Sequence, residues 1–435
     1  MLSASKIMLT LKAYGLSRYA IKGQYDRKWI DETRDKKLRK LVRYCYENVK
    51  YYREAFDQAN VTPANIHSAK DIYKLPFLTK KELQGRLWDF LPKQIGPCRI
   101  SRTSGSTGVP VCIFSDTNSR MHNAAAIIKY RKAVGIALFG STIITPLKNE
   151  SEKTKKPVWT YFHGLHKTCY VNPYLESQEH FDYASKLFKR KADAALIGIT
   201  PAIVKLAYQI NDGKVSGFRP KAIITGGQSL SDKDRDVIEG VFSTKVTDVY
   251  ACSEGGEVAW QCRASDYYHI NEDNCIVEIL KDDKSAKSGE VGEVVITNLN
   301  RFAMPILRYK IGDLAIATDH KCICGRKLAM LEKIVGRDGQ NIICPNGKVL
   351  LWNQLKGFMN ISQVRQFQIV QNSDGSLTVK YVPAEDADIR EISRLIKSRF
   401  EPVVGNSVKF NIEEVTSIKP AKSGKLKLVV SNYRR

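Results

Sequence analysis

One segment of the 435-residue chain is dense in groups that bind phosphate: Ser101-Arg102-Thr103-Ser104-Gly105-Ser106-Thr107-Gly108-Val109-Pro110. Its glycines let the backbone approach an anion closely, and its hydroxyls and backbone N–H groups can donate to phosphate oxygens. It lacks the Gly-Lys-Ser/Thr ending of the common NTPase phosphate loop, so by itself an ordinary polar loop is the commoner reading. A second set could hold a metal. Cys262, His269, Cys322 and Cys324 are four borderline-soft ligands of the kind that suits tetrahedral Zn2+. His320 competes as a ligand, and the bland alternative is a group of reduced core cysteines with a surface histidine. Tyr161-Phe162-His163-Gly164 and Ile199-Thr200-Pro201 could line an apolar pocket, with His163 or His166 orienting a polar group. Core packing explains these residues equally well.

The segments fall in an order that resembles the adenylate-forming superfamily that includes acyl-CoA synthetases, and within it the phenylacetate–CoA ligase and CapK-like branch. Thr103 to Pro110 matches that family's phosphate loop. Tyr250-Ala251-Cys252-Ser253-Glu254 resembles its next motif, Arg308-Tyr309-Lys310-Ile311-Gly312-Asp313 the ribose motif, Gly336-Arg337-Asp338 the hinge, and Ser423-Gly424-Lys425 the mobile lysine. Ala251 stands where the family often has glycine, and Ile311 where a small polar residue is usual.

The resemblance implies residue roles. Thr103, Ser104, Gly105, Ser106, Thr107 and Gly108 would cradle phosphates, with Gly227, Tyr250 and Ser253 beside the nucleotide. Glu254 would hold Mg2+ on ATP, Asp313 would bind the ribose, Arg337 would assist ribose or phosphate, and Asp338 would be the pivot. Lys425 would enter for catalysis. It also implies a structural role for the Cys262, His269, Cys322 and Cys324 set, since four protein ligands leave no open position for water.

The implied activity is AMP-forming activation of a small carboxylic acid through an acyl-adenylate, with transfer to CoA. Transfer to an amine of a sugar or amino acid, as in surface-polysaccharide synthesis, is the alternative acceptor. A catalytically silent binding or scaffold protein is the alternative class. Cofactors would be ATP, Mg2+, structural Zn2+ and CoA.

These groups need a scaffold. Short apolar runs at 141–146, 194–199, 222–225 and 246–250 read as buried strands, and 182–189, 202–210 and 232–242 as helices between them. The alternation predicts a layered α/β domain, with Gly226-Gly227 as a strand-end turn. Leu38, Leu41, Val42, Cys45, Val49, Tyr52 and Phe56 predict one helix over 35–57. Thr79 with Glu82 reads as a capping box, and Ser231 as a helix cap. Past Asp338, two strands flank Asp374-Gly375, then a helix and a strand follow, which predicts a smaller α+β module. The division expected is a catalytic domain over 1–337 and a mobile domain over 338–435.

Composition narrows the partners. The formal net charge is +24, from 69 Lys and Arg against 45 Asp and Glu. That excess suits ATP, the phosphates of CoA, or an acidic membrane surface. No repeated finger spacing or aromatic-basic pattern points to nucleic acid. Ten scattered cysteines fit a reduced, cytoplasmic setting. No apolar run approaches the ~20 residues that cross a bilayer. Ile7, Met8, Leu9, Leu11 and Tyr14 could still make a peripheral membrane contact or simply pack as a surface helix. Composition sets no oligomeric state.

Overall fold

The computed structural model describes residues 4–102, 111–137, 141–145, 160–163, 166–228, 230–337, 342–345, 349–350, 361, 363–384, 387–405, 408–418 and 429–433. They form a large mixed α/β unit and a distinct C-terminal unit. Described residues up to Lys333 group together, except Gly312–Ala315, which group with those from Ile334 onward.

The strands up to Arg337, in chain order, begin with β1 (Cys98–Arg102), β2 (Cys112–Asp116), β3 (Ser141–Thr145), β4 (Thr160–His163), β5 (His166–Tyr170), β6 (Ala195–Ile199) and β7 (Ile223–Gly226). Then come β8 (Val246–Cys252), β9 (Gly256–Cys262), β10 (Ser265–Ile270), β11 (Cys275–Lys281), β12 (Lys284–Ser285), β13 (Val291–Asn298), β14 (Tyr309–Ala317) and β15 (Met330–Arg337). β1 and β2 form a separate antiparallel pair with Arg102 opposite Cys112. The others make one sheet in the order β12-β11-β13-β14-β15-β10-β9-β8-β7-β6-β3-β5-β4.

The middle of this sheet is parallel: β5 with β3, β3 with β6, β6 with β7, and β7 with β8. These strands are apolar because the helices Gln178–Arg190, Thr200–Asn211 and Asp232–Phe242 cover them. Phe181, Leu187, Phe188, Leu206, Ile223 and Ile238 share that core. Parallel strands need crossover helices, and those crossovers put the chain turns at the strands' carboxyl ends. Ser231 caps the third helix by accepting from Asp234 N at 3.0 Å, as expected.

The single helix expected over 35–57 is two, Arg27–Asn48 and Lys50–Gln58. Val49 between them is extended (φ −120°, ψ 114°) and bridges Pro92. A β-branched residue is stiff in a helix and readily takes that conformation. The apolar stripe survives the break: Leu38, Leu41, Val42, Cys45, Val49, Tyr52 and Phe56 are all buried. The Thr79–Glu82 capping box is also present.

In the C-terminal unit, β16 (Ile342–Ile343) pairs with β17 (Val349–Leu350). A four-stranded sheet runs in the order β20-β19-β18-β21, where these are Phe410–Glu414, Leu377–Pro383, Val364–Gln371 and Val429–Ser431. β18 and β19 are the hairpin expected around Asp374-Gly375; Gly375 has φ +84°, which only glycine adopts without strain. The amphipathic helix Ile389–Val404 supplies Ile392, Ile396, Phe400 and Val404 to a core shared with Phe367, Ile369 and Val379.

Candidate functional site

The carboxyl ends of β6, β7 and β8 gather three segments that the sequence reading marked separately. At the end of β6, Thr200 begins a helix; its side chain is buried and its Oγ1 donates to the Gln228 carbonyl at 3.2 Å. Gly226 closes β7, and a Cβ there would sit 2.9 Å from the Val249 carbonyl of β8, so no side chain fits. Gly227 follows with φ +74°. Tyr250 lies on β8, which pairs with β9 antiparallel and shifts register just past it. Ser253 is exposed and Glu254 is buried in the turn between the two strands.

That turn is held from one side. Arg301 is 1% exposed, and its Nη2 donates to the Ser253 carbonyl at 2.8 Å. Asn298 Nδ2 donates to the Gly255 carbonyl at 2.9 Å. The segment carrying Arg301 is fixed in turn by Asp116, which caps the helix Thr117–Ala133 with one oxygen. Its other oxygen accepts from Phe302 N and Ala303 N, both at 2.8 Å. Nε and Nη1 of Arg301 are buried and have no hydrogen-bond partner among the described residues. Burial pushes the guanidinium pKa down, against the charges of Cys252, Glu254 and Asp116. Sequence reasoning missed Arg301. Its signal was a lone cation between the apolar runs Val294–Ile296 and Ile306–Leu307.

Asp313 is buried on β14, next to Gly312 with φ +78°. Arg308, five residues earlier, sits at φ +43°. It pairs with Glu278 through two bonds of 3.1 and 2.8 Å and donates to the Tyr73 and Leu75 carbonyls. Those contacts make Arg308 a clamp for the chain around Leu75 and Leu78. Arg337 ends β15. Tyr161, Phe162 and His163 lie on β4 at the sheet edge, with His163 opposite His166. The side chains of these four and of Arg337, together with Thr103 to Gly108, Asp338 and Lys425, fall outside the described residues.

The second cluster is complete. Cys262 ends β9, His269 lies on β10 paired opposite Trp260, and Cys322 and Cys324 come from the connection between β14 and β15. Their ligand atoms all lie within 4.8 Å of one another. Cys262 Sγ and Cys322 Sγ are 3.6 Å apart, and Cys324 Sγ and His269 Nε2 are 3.5 Å apart. Burial pushes the Cys322 thiol up to about 12. Burial also pushes His269 down to about 4, so its ring is neutral, the form that ligates. His320 takes no part: it is exposed, with its ring edge-on to Tyr267 at 4.9 Å.

Comparison with known proteins agrees with this architecture. Residues 342–432 match the CapK C-terminal domain. The chain is 24% identical to protein CapK of Staphylococcus aureus over 422 residues, spanning 93% of this chain and 89% of that one. It is 24% identical to a phenylacetate-coenzyme A ligase of Thermus thermophilus over 399 residues, spanning 84% and 83%. A 2-hydroxyisobutyryl-CoA ligase in its postadenylation state, with 2-HIB-AMP, has the same fold: TM-score 0.69 at 17% identity, over 92% of this chain and 89% of that one.

The fold is that of the adenylate-forming ligases. In sequence the chain is similar to the CapK and phenylacetate–CoA ligase branch of them. No helix among the described residues is long and apolar enough to cross a membrane.

Proposed function

We propose that this protein activates a small carboxylic acid with ATP, releasing pyrophosphate and forming an acyl-adenylate, and then transfers the acyl group to the CoA thiol with release of AMP. The carrying observation is the convergence of Thr200, Gly226-Gly227 and the Tyr250–Glu254 turn at one edge of the parallel strands. Ligands of open α/β sheets bind at that edge.

Attack of a carboxylate on the α-phosphate brings two anions together, so the barrier is dominated by charge. The hydroxyls and N–H groups of Thr103 to Gly108 donate to phosphate oxygens. Glu254, fixed by the bonds to Ser253 and Gly255, offers a carboxylate for magnesium, which when bound neutralises phosphate charge. Asp313 accepts from the ribose hydroxyls and Arg337 donates to ribose or phosphate. Lys425, carried on the C-terminal residues with Asp338 as pivot, brings an ammonium for adenylation and withdraws for transfer. That division puts the catalytic domain at 1–337 and the mobile domain at 338–435. Tyr161, Phe162, His163 and Thr200 border the acid.

The cysteine–histidine cluster fits zinc. Zn–S bonds of about 2.3 Å and Zn–N bonds of about 2.0 Å put tetrahedral ligand atoms about 3.5–3.8 Å apart. The S···S and S···N separations of 3.6 and 3.5 Å agree with that. With four protein ligands the ion would be structural, tying β9 and β10 to the connection before β15.

The alternative acceptor is an amine of a sugar or amino acid in place of CoA. A screen of acids read by ATP-dependent pyrophosphate release, with CoA or with candidate amines, tests both. Mass spectrometry distinguishes a thioester from an amide. No acid-dependent release with any acid would refute the activity.

A further inference from the structure

We propose that the helix Ala4–Gly23 docks this protein on an anionic lipid surface. The helix buries one narrow side, with Ala13, Ser17 and Ala20 turned inward, and packs along the helix Thr117–Ala133. The opposite side is open. Met8, Leu11 and Tyr19 are 55%, 56% and 62% exposed, and Lys12, Arg18 and Lys22 are exposed beside them.

Met8 lies three and four residues before Leu11 and Lys12, these lie seven before Arg18 and Tyr19, and those lie four and three before Lys22, so the six share one stripe rather than scatter around the helix. The stripe differs from the apolar run read in the sequence: Leu9 and Tyr14 are half-buried, and Tyr19 takes the place they were expected to fill. Tyr19 is braced by Trp29, ring centroids 5.1 Å apart.

Charge identifies the occupant. The helix carries Lys6, Lys12, Arg18 and Lys22 and no carboxylate. No Asp or Glu occurs before Asp26, and that side chain is engaged in capping the next helix through Lys28 N. A second copy of the same stripe would bring cation against cation. A leaflet of anionic lipids complements both features: headgroups attract Lys12, Arg18 and Lys22, while Met8, Leu11 and Tyr19 enter the boundary between headgroups and acyl chains. The lysine stems can lie along that boundary with their ammonium groups in water. This arrangement lies on the membrane and does not cross it. The inference is independent of the acid-activation reading.

The test is flotation of the full chain with vesicles of phosphatidylcholine alone and of an equal mixture with phosphatidylglycerol. Binding to the mixed vesicles, weakened by salt, is expected, with little to phosphatidylcholine. Met8→Gln with Leu11→Gln, and separately Lys12→Glu with Arg18→Glu, should each weaken binding at least ~10-fold. The thermal midpoint should hold, because all four side chains are exposed. Lys189→Glu with Arg190→Glu makes the same charge change on an exposed part of another helix and should leave binding intact.

Equal loss in that control would assign binding to the overall charge and overturn the proposal. So would failure to bind the mixed vesicles, or equal binding to phosphatidylcholine. A dimer in solution that Leu11→Gln dissociates would give the face to a second copy and overturn it as well.

Discussion

Arg301 donates through Nη2 to the carbonyl of Ser253, 48 residues earlier, at 2.8 Å, and so grips the residue next to Glu254 from a fully buried position. A guanidinium with two buried nitrogens that have no partner among the described residues costs stability, because a desolvated charge is poorly compensated. Its presence there is accounted for by what it positions.

Replacing Arg301 should therefore separate stability from function. Arg301→Met is expected to leave the thermal midpoint unchanged or raise it, while kcat/KM for adenylation falls roughly 10–100-fold. Arg301→Lys keeps the charge without the planar fork and should recover only part of the rate. Calorimetry and pyrophosphate release on the same preparations check both. A large loss of midpoint with a proportional loss of folded enzyme would make Arg301 a simple structural residue.

A zinc ion in the cysteine–histidine cluster would stabilise the fold. Purified protein should carry about one zinc per chain, and Cys322→Ser with Cys324→Ser should abolish it, since a closed four-ligand site needs every ligand. The unfolding midpoint should drop with the metal, and chelator should reproduce the drop. Elemental analysis and thermal unfolding measure these. Metal content unchanged in the double variant would contradict the site.

Arg308 and Glu278 form a buried pair, with side chains 5% and 14% exposed. Glu278→Ala leaves the guanidinium without its counter-charge and should cost about 3–5 kcal/mol of stability, against about 1 kcal/mol or less for an exposed pair such as Lys28–Glu32. Denaturant unfolding of the two variants gives the comparison.

Asp248 supplies a pH signature. It is buried and accepts from Tyr268 and Thr225 hydroxyls at 2.6 and 2.9 Å, and burial pushes its carboxyl up to about 6. The unfolded chain releases that proton near 3.8, so between about 4 and 6 the native state binds more protons. Asp248 should thus make stability fall as pH rises through that window, by up to a few kcal/mol. Asp248→Asn removes the titration and should flatten the slope in urea unfolding across pH 4 to 6.5. An unaltered slope in the variant would place the titration elsewhere.

Much of this was legible in the chain because the physics was local. The parallel strands announced themselves as apolar runs too short for helices, and Ser231 and Thr79 as caps from side chains that reach their own backbone. The Gly226-Gly227 turn could be read since only glycine fits against the Val249 carbonyl. The four members of the cysteine–histidine cluster could be named from type and resemblance, with His320 still a competitor, because the bend that points Cys322 and Cys324 at β10 is tertiary. Long-range placement was illegible. Nothing local to Arg301 says that it meets Ser253. Nothing in Arg308-Tyr309-Lys310 says that the arginine serves Glu278 and the chain near Leu75. Val49 broke a helix that side-chain periodicity alone would have continued.

Isotope exchange between pyrophosphate and ATP tests acid-dependent adenylation without regard to the final acceptor. Exchange should appear only when the matching acid and Mg2+ are present, and should fall by roughly 100-fold or more in Glu254→Gln and in Lys425→Ala. Exchange that neither substitution reduces, or none with any acid in a broad screen, would contradict it.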